Sequence, residues 1–502
     1  MTYSSQWAPD LSTRVAAVRR GIQVIQARLG EQLAQICVEL VSGSISPTAV
    51  LEFELRLARE VRELGRAAIE STCNQLEGDD PAALPSHARS EGIDHRLVKQ
   101  KTRATIDTVF GPVELWRHLY RPVDRDSSES SFAPLERWLG VVSKTTPALA
   151  EAACRYLAEA GATQNAVLRR LHDDHGVTMG VKRLRELSGH VSGAMAAARE
   201  ELEVNRLLAL LAQADASRGR HRPVLSVGRD GITLGTRYRG GCLFEVASTA
   251  TVSVLDRRGK RLGTVYLAFA PESGQPQMSA ALTSLLEAVL AGWTGALPRL
   301  AYVTDAGDNE TQYYRRVLRP MVHPRTGERL RWQRVVDFYH VMERVWALAA
   351  ALFGADARGL RSWARRMGRL LKQANGPSRV LHSAAALRGR RGLSKSREAA
   401  YRKAYNYLRR RTRWMQYAAY ARVGVPLGSG VTEAGCKTIY SQRLKLSGMR
   451  WKEAGAQVIL NLRVVLLSGI WRETYGRVLV MPVNVEVPTP QLARELTQQL
   501  AA

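Results

Sequence analysis

Three acids lie far apart in the chain, each where a carboxylate can be put to chemical use: Asp230, Asp305 and Glu433. Glu433 belongs to Gly424-Val-Pro-Leu-Gly-Ser-Gly-Val-Thr-Glu-Ala-Gly-Cys-Lys437. There Pro426, Gly428 and Gly430 mark a turn, and Ser429 and Thr432 offer N-caps for a helix running to Lys445. Helical spacing puts Glu433, Lys437 and Tyr440 on one face, with the acid in the first turn, where the helix dipole favours its ionised form. Taken alone, this is a capped surface helix. The aspartates change that reading. Asp230 ends the apolar run Val224-Leu-Ser-Val-Gly-Arg-Asp230, and Asp305 follows Leu300-Ala-Tyr-Val-Thr304 at once. Three carboxylates drawn together repel one another unless a cation lies between them. Hard divalent ions with oxygen ligands, Mg²⁺ or Mn²⁺, answer that need. Two such ions about 3.5–4 Å apart activate a water or a 3′-hydroxyl and stabilise the leaving oxygen of a phosphodiester. Asp337 and His340, three apart at a predicted helix start, have two readings. They are a capping acid with a core histidine, or a pair that orients DNA or a water near the metals. No other His or Cys pair has the spacing of a zinc site.

The elements that must position these acids form an α/β block. Val224–Asp230, Cys242–Leu255, Arg261–Phe269, Leu300–Thr304 and Arg331–Val336 read as strands, with an amphipathic helix through Leu282, Leu285, Leu286 and Val289. Three antiparallel-type strands, a helix and two more strands follow the order of a ribonuclease-H-like core. In that order the first and fourth strands are neighbours, which brings Asp230 and Asp305 together, and the Glu433 helix packs across the same edge. Between the last strand and that helix, residues 355–424 hold nineteen Arg/Lys against two acids, Asp356 and Glu398. They carry +17 of the chain's +27. One-sign charge at this density predicts a phosphate-contacting surface. The interleaved Trp363, Tyr401, Tyr405, Tyr407, Trp414 and Tyr417 read mostly as core, with one or two available to stack on bases. After Glu433, Ser447-Gly-Met-Arg-Trp451 reads as a turn and Ala456–Leu467 as an apolar helix covering the sheet.

Upstream, residues 8 to about 76 read as a packing or dimerising helical pair. Gly78–Ser86 is a linker. Thr102–Tyr120 alternates as a hairpin around Gly111-Pro112; being marginal alone, it must pack on a neighbour or lie on DNA through Arg103, Arg117 and Arg121. Residues 144–200 suit a helix-turn-helix, with the Lys182-Arg183 helix as a possible reader. The tail Pro482–Pro490 and the short helix after it look peripheral.

With 502 residues, 45% of them hydrophobic, the chain can bury a large core. A net charge of +27 calls for a polyanionic partner, and nucleic acid suits it best. No membrane is expected: there is no uninterrupted apolar run of about 18 residues, and the first residues lack the pattern of a signal peptide. Five scattered cysteines without a CxxC pair fit a reducing cytosol.

The sequence resembles the bacterial insertion-sequence DDE transposases of the Kra type, distant relatives of the Mutator group. The likeness runs from about Val224 to Tyr475 and more weakly back to the hairpin. It is carried by Arg229-Asp-Gly231, Val303-Thr-Asp305, Val336-Asp-Phe-Tyr-His340, Gly428-Ser-Gly-Val-Thr-Glu433, Cys436-Lys437, Gln442-Arg-Leu-Lys445 and Ser447-Gly-Met-Arg-Trp451. One departure is Asp305-Ala306-Gly307, where many relatives have Asp-Gly directly. The resemblance implies that Asp230, Asp305 and Glu433 are a catalytic triad holding two Mg²⁺ (or Mn²⁺), with Asp337 and His340 as an accessory pair. Lys437, Arg443, Lys445, Arg450, Trp451, Lys182 and Arg183 are the expected DNA contacts. The expected partner is double-stranded DNA, both element ends and target, bound by a homodimer or higher oligomer in the bacterial cytoplasm at the nucleoid.

The expected fold is a multidomain α+β/α chain: a ribonuclease-H-like mixed α/β catalytic core, interrupted by an all-helical insertion and preceded by helical and β-hairpin DNA-binding regions. Its expected parts are a helical region (1–85), a hairpin segment (86–125) and a helix-turn-helix-like region (126–205). The core follows in two parts (206–340 and 429–475) around the basic insertion (341–428), and a tail (476–502) ends the chain. Two alternatives stand beside the transposase: a structure-specific nuclease with this core, and a domesticated DNA-binding regulator.

Overall fold

The computed structural model describes residues 10–78, 84–124, 131–238, 241–390, 392–480, 485–486 and 498. Most of the expected linker at 78–86, and most of the tail, lie outside these, but Val485–Glu486 of the tail is described and pairs with the strand His87–Ser90. The chain is mixed α and β and divides into two compact units. One holds Met1–Leu157, Ala162–Ala194 and Tyr475–Ala502, the other Ala158–Gly161 and Met195–Thr474.

The first unit opens with two long helices, α1 (Leu11–Ser42) and α2 (Pro47–Cys73). Asp10 and Ser46 cap them by accepting backbone N–H bonds, as short polar side chains do at helix starts. The expected hairpin is present and belongs to a larger sheet. Strands β1 (His87–Ser90), β2 (Ile93–Thr108) and β3 (Gly111–Pro122) pair antiparallel, and Val485–Glu486 adds a short fourth strand on β1. Ile106, Val113 and Leu115 of the hairpin pack with Leu135 against Ile69, Cys73 and Leu76. Of the two ways open to a hairpin, packing on a neighbour is the one taken. Of its arginines, Arg103 pairs with Glu114 and Arg117 with Glu136, while Arg121 is exposed. Helices α3 (Pro134–Trp138), α4 (Pro147–Ala158), α5 (Gln164–His175) and the start of α6 (Val181–Asp215) follow. Thr163 caps α5, and Gly176 ends it at φ 66°, a left-handed turn natural to glycine.

The second unit is built on β4 (Val224–Tyr238), β5 (Gly241–Leu255), β6 (Arg261–Phe269), β7 (Arg299–Thr304) and β8 (Gln333–Val336), in the sheet order β6-β5-β4-β7-β8. The first three strands are antiparallel; β4–β7 and β7–β8 are parallel. Period-two alternation sends Leu225, Val227, Leu300 and Tyr302 to one face, under α6 and α7 (Pro276–Gly292). Val224, Ala301, Val303 and Val335 go to the other, under a largely helical cluster. That cluster follows the short α8 (Asp308–Tyr313). It comprises α9 (Phe338–Phe353), α10 (Ala357–Leu371), α11 (Gly376–Arg390), α12 (Lys395–Arg411) and α13 (Tyr417–Arg422). Of its aromatics, Trp363, Tyr401 and Tyr417 are buried, and Tyr405, Tyr407 and Trp414 pack partly buried beside them, in or against the core as expected for most of these six. Next come α14 (Gly430–Cys436), a π-helical turn over Lys437–Ser441, α15 (Glu453–Leu467) and α16 (Trp471–Leu479). α15 lies against β6 and covers the sheet as expected.

Two local expectations are corrected. β4 does not end at Asp230: Ile232 and Leu234 continue it, and β5 pairs with it as far as Tyr238. The Glu433 helix does not run evenly to Lys445. Its π turn widens the spiral, so Tyr440 is fully buried while Glu433 and Lys437 face solvent.

Candidate functional site

Strand register sets the first layer of the site. β4 and β7 pair in parallel up to Val227 and Tyr302. Three residues further along their strands stand Asp230 and Asp305, level with each other. Both share the parity of Val224 and Ala301 and so belong to the same face. β7 and β8 pair through Thr304 and Val336, and the next residue on each is an acid, Asp305 and Asp337. Three aspartates therefore line up across three parallel strands. Asp230 and Asp305 are each held from behind by a backbone bond, from Gly231 N–H (2.7 Å) and Gly307 N–H (2.9 Å).

α14 brings Glu433 over this row because glycines let it approach closely. A Cβ on Gly228 of β4 would meet Thr432 Oγ1 at 1.9 Å, and one on Gly435 of α14 would meet the Tyr266 ring at 3.3 Å. Thr432 and Thr251 hydroxyls bond at 2.7 Å beneath. The Ser429 hydroxyl, expected as an N-cap, instead donates to Asp337 Oδ2 (2.7 Å) and Glu433 Oε1 (3.2 Å).

The insertion is fastened to the same strand ends. Tyr407 Oη donates to the Asp305 carbonyl at 2.7 Å, and Arg411 to the Ala306 carbonyl at 3.0 Å. Tyr417 and Tyr420 donate to the carbonyls of Val336 (2.8 Å) and Arg334 (3.0 Å).

Charge divides the site into two parts. Asp337 is fully buried; burial opposes its ionisation, but His340 and the bonds from Ser429 outweigh it and hold the carboxyl near 2. It also caps α9 through the N–H groups of Tyr339 (2.6 Å) and His340 (3.0 Å). Asp337 in turn raises His340 to about 9, against the effect of burial, so the imidazole is a cation at neutral pH. Its Nδ1 lies 3.6 Å from both Asp337 Oδ1 and Glu433 Oε1, an ionic contact beyond hydrogen-bond reach. Of the first reading, the capping role of Asp337 holds, while His340 is part-exposed and not a core histidine, and faces Glu433. Among the described residues, Asp337, His340 and Glu433 are the one group of three whose candidate ligand atoms all lie within 4.8 Å of one another. With His340 protonated, the two carboxylates still leave that group one negative charge, and a metal there would have to displace the imidazole proton.

The aspartate side is the reverse. Burial pushes the Asp230 carboxyl up, and Asp305 pushes the same way. Glu310, also buried, is raised by burial and then by Asp305 and Asp230. Asp230 and Asp305 are hard oxygen donors on one face and fit a divalent cation by type, while Glu433 is half-exposed and, among the described residues, does not form a group with them whose ligand atoms all lie within 4.8 Å.

The other predicted contacts divide by exposure. Lys437, Lys445, Arg450 and Lys182 are exposed. Arg443 is not: it is fully buried beside Trp451, so as a phosphate contact it is corrected to a core cation, lowered to about 10 by burial and by Arg463. Trp451 donates its indole N–H to the Leu444 carbonyl (2.8 Å), and its backbone pairs with β4. Arg183 is held by Asp107 (2.6 Å) and by the carbonyls of Ser143 and Lys144, which makes it a clamp on the hairpin and not a groove reader. Sequence reasoning missed Glu310, Tyr407 and Arg411. Glu310's only signal is its place five residues after Asp305; the other two carried none, being two among many aromatics and arginines.

No single helix among the described residues is long and apolar enough to cross a membrane. No protein-family model and no curated protein matches the chain.

Proposed function

We propose that this chain is a DDE transposase with a ribonuclease-H-like core. It binds the ends of its element as duplex DNA, hydrolyses a strand to free a 3′-hydroxyl, and joins that end to target DNA. The observation that carries the reading is the row of Asp230 and Asp305 on adjacent parallel strands, with Glu433 laid over it by the tight α14 contact. A chain that only binds DNA has no use for mutually repelling acids at this position.

Asp230, Asp305 and Glu433 would hold the ions. When bound, Mg²⁺ or Mn²⁺ supplies Lewis-acid activation of the attacking hydroxyl and neutralises charge at the leaving oxygen. The chain's own residues do the rest. His340 and Ser429 hold the Glu433 carboxylate in place. Tyr407 and Arg411 fix the turn that carries Asp305. Exposed Lys437, Lys445 and Arg450 supply positive charge for the strand being cut. We place the protein at the bacterial nucleoid, acting as a dimer or larger assembly on its DNA.

The test uses the full chain, Mg²⁺ and a duplex made from the DNA flanking its own gene, with a plasmid as target. A nick leaving a 3′-hydroxyl, followed by a joined product, is expected. Cleavage without joining would favour a nuclease, and no metal-dependent product at all would overturn the reading.

A further inference from the structure

Two sets stand out among the basic residues of the insertion, beside others such as Lys403, Arg409 and Arg410 of α12 that are also exposed. One is spent inside the protein. Arg388 and Arg402 pair with Glu398 at 2.7 Å, Arg397 donates to the Ala351 carbonyl (2.7 Å), and Arg413 lies over Trp414. Asp356, the segment's other acid, caps α10 through the Gly359 N–H (2.9 Å). The second set is on α10. Arg358, Arg361, Arg365 and Arg369 recur along one stripe of that helix with Arg366 beside them, and all five are exposed. Trp363, Ala364, Met367 and Leu371 on its other side are buried. Among the described residues, no carboxylate pairs with any of these five arginines. Beside the stripe, a cleft of about 840 Å³ opens between α10 and α11; its wall carries no acid and adds Arg379 and His382.

We propose that this face of α10, with the adjoining cleft, seats the phosphate backbone of one strand of duplex DNA. From Arg358 to Arg369 the helix rises by eleven steps, about 16 Å at ~1.5 Å per residue. Over that length of duplex axis one strand of B-DNA carries about five phosphates at ~3.4 Å each, wound around roughly half a turn, of which the long arginine side chains would meet up to four. An acidic polypeptide is the other polyanion to weigh. Protein interfaces are anchored by apolar and aromatic side chains; the stripe offers only arginines and Ser362, and the cleft adds Met367 and Leu370 but no aromatic anchor other than His382. The backbone of a nucleic acid needs no such anchor. The inference rests on the chain being a DNA enzyme, but binding alone tests it.

The experiment compares the full chain with the variant carrying Arg358→Gln, Arg361→Gln, Arg365→Gln and Arg369→Gln. Affinity for a fluorescent duplex is read from about 50 to about 200 mM salt. Losing four contacts, at ~0.9 of log–log slope each, flattens the salt dependence by roughly 3.6, so the parent's affinity falls about 150-fold more than the variant's over that range. Lysine at the same four positions should keep the parental slope. A charge-matched control (Arg19→Gln, Arg20→Gln, Arg315→Gln, Arg316→Gln) should change it by less than about one contact's worth. A quadruple variant that melts like the parent and keeps its slope overturns the proposal, as does one no different from the control. An unaltered DNA slope combined with lost binding of poly-glutamate would assign the face to an acidic polypeptide instead. An inactive catalytic site leaves this measurement untouched, so failure of the enzymatic reading and failure of the α10 seat are told apart.

Discussion

Asp230 shares one face of the sheet with Asp305, and burial and that neighbour both resist its ionisation. Such a pair is unfavourable until a cation arrives. Asp230→Asn, Asp305→Asn and Glu433→Gln should each lower strand cleavage by about a thousandfold or more, the several kcal/mol that a lost metal ligand costs, while duplex binding is retained. Asp305→Asn also removes repulsion and should raise the thermal midpoint of the ion-free protein by a few degrees. Cleavage at the parental rate in any of the three, measured in single turnover, would remove that residue from the site. Glu77, buried in the first unit, provides a pH test. Burial pushes its carboxyl up to about 7, above the ~4.3 of an unfolded chain. The folded state therefore holds its proton more tightly. The first unit should lose stability as pH rises from about 4.5 to about 7, by roughly 2–4 kcal/mol. Glu77→Gln should remove that part of the slope; melting curves at pH 5 and pH 8 that shift in parallel for parent and variant would refute the buried charge.

At the scale of elements, one contact sets the geometry: α14 against β4. A methyl on Gly228 meets Thr432 Oγ1, so Gly228→Ala should cost about 1–3 kcal/mol as overpacking and lift Glu433 off the aspartates. Adding Thr432→Ala should restore part of both the stability and the cleavage rate. If the double variant is no better than the single one, the contact does not govern the position of Glu433. The strands themselves are legible as apolar runs, but the pairing of the first and fourth follows only from the order of a ribonuclease-H-like sheet. The extension of β4 past Asp230 is carried by the alternation of Ile232 and Leu234, although an acid at the end of an apolar run reads as a stop. The π turn after Cys436 was not legible, because it replaces one helical spacing with another without any glycine or proline to mark it. For the same reason Arg443 read as a surface cation: its burial follows from the turn and from packing under Trp451, neither written in its neighbours.

For the molecule as a whole, the excess of positive charge was plain in the sequence, but its division was not. Only the structure separates α10's free arginines from those that hold carbonyls and Glu398, because the partners are distant in the chain. The insertion is also a brace: Tyr407, Tyr417 and Tyr420 grip the carbonyl ends of the strands. Deleting residues 355–424 should accordingly abolish both end binding and cleavage. The triple variant Tyr407→Phe, Tyr417→Phe, Tyr420→Phe should keep duplex affinity and lose cleavage. A triple variant that cleaves normally would show that the brace is dispensable. The central claim is that three acids, distant in sequence, form one divalent-cation site at the ends of parallel strands. Manganese binding to the full chain, followed by electron paramagnetic resonance of the free ion, tests it most directly. Two ions should bind to the parent and at most one to Asp230→Asn, and equal binding by the parent and all three acid variants would contradict the account.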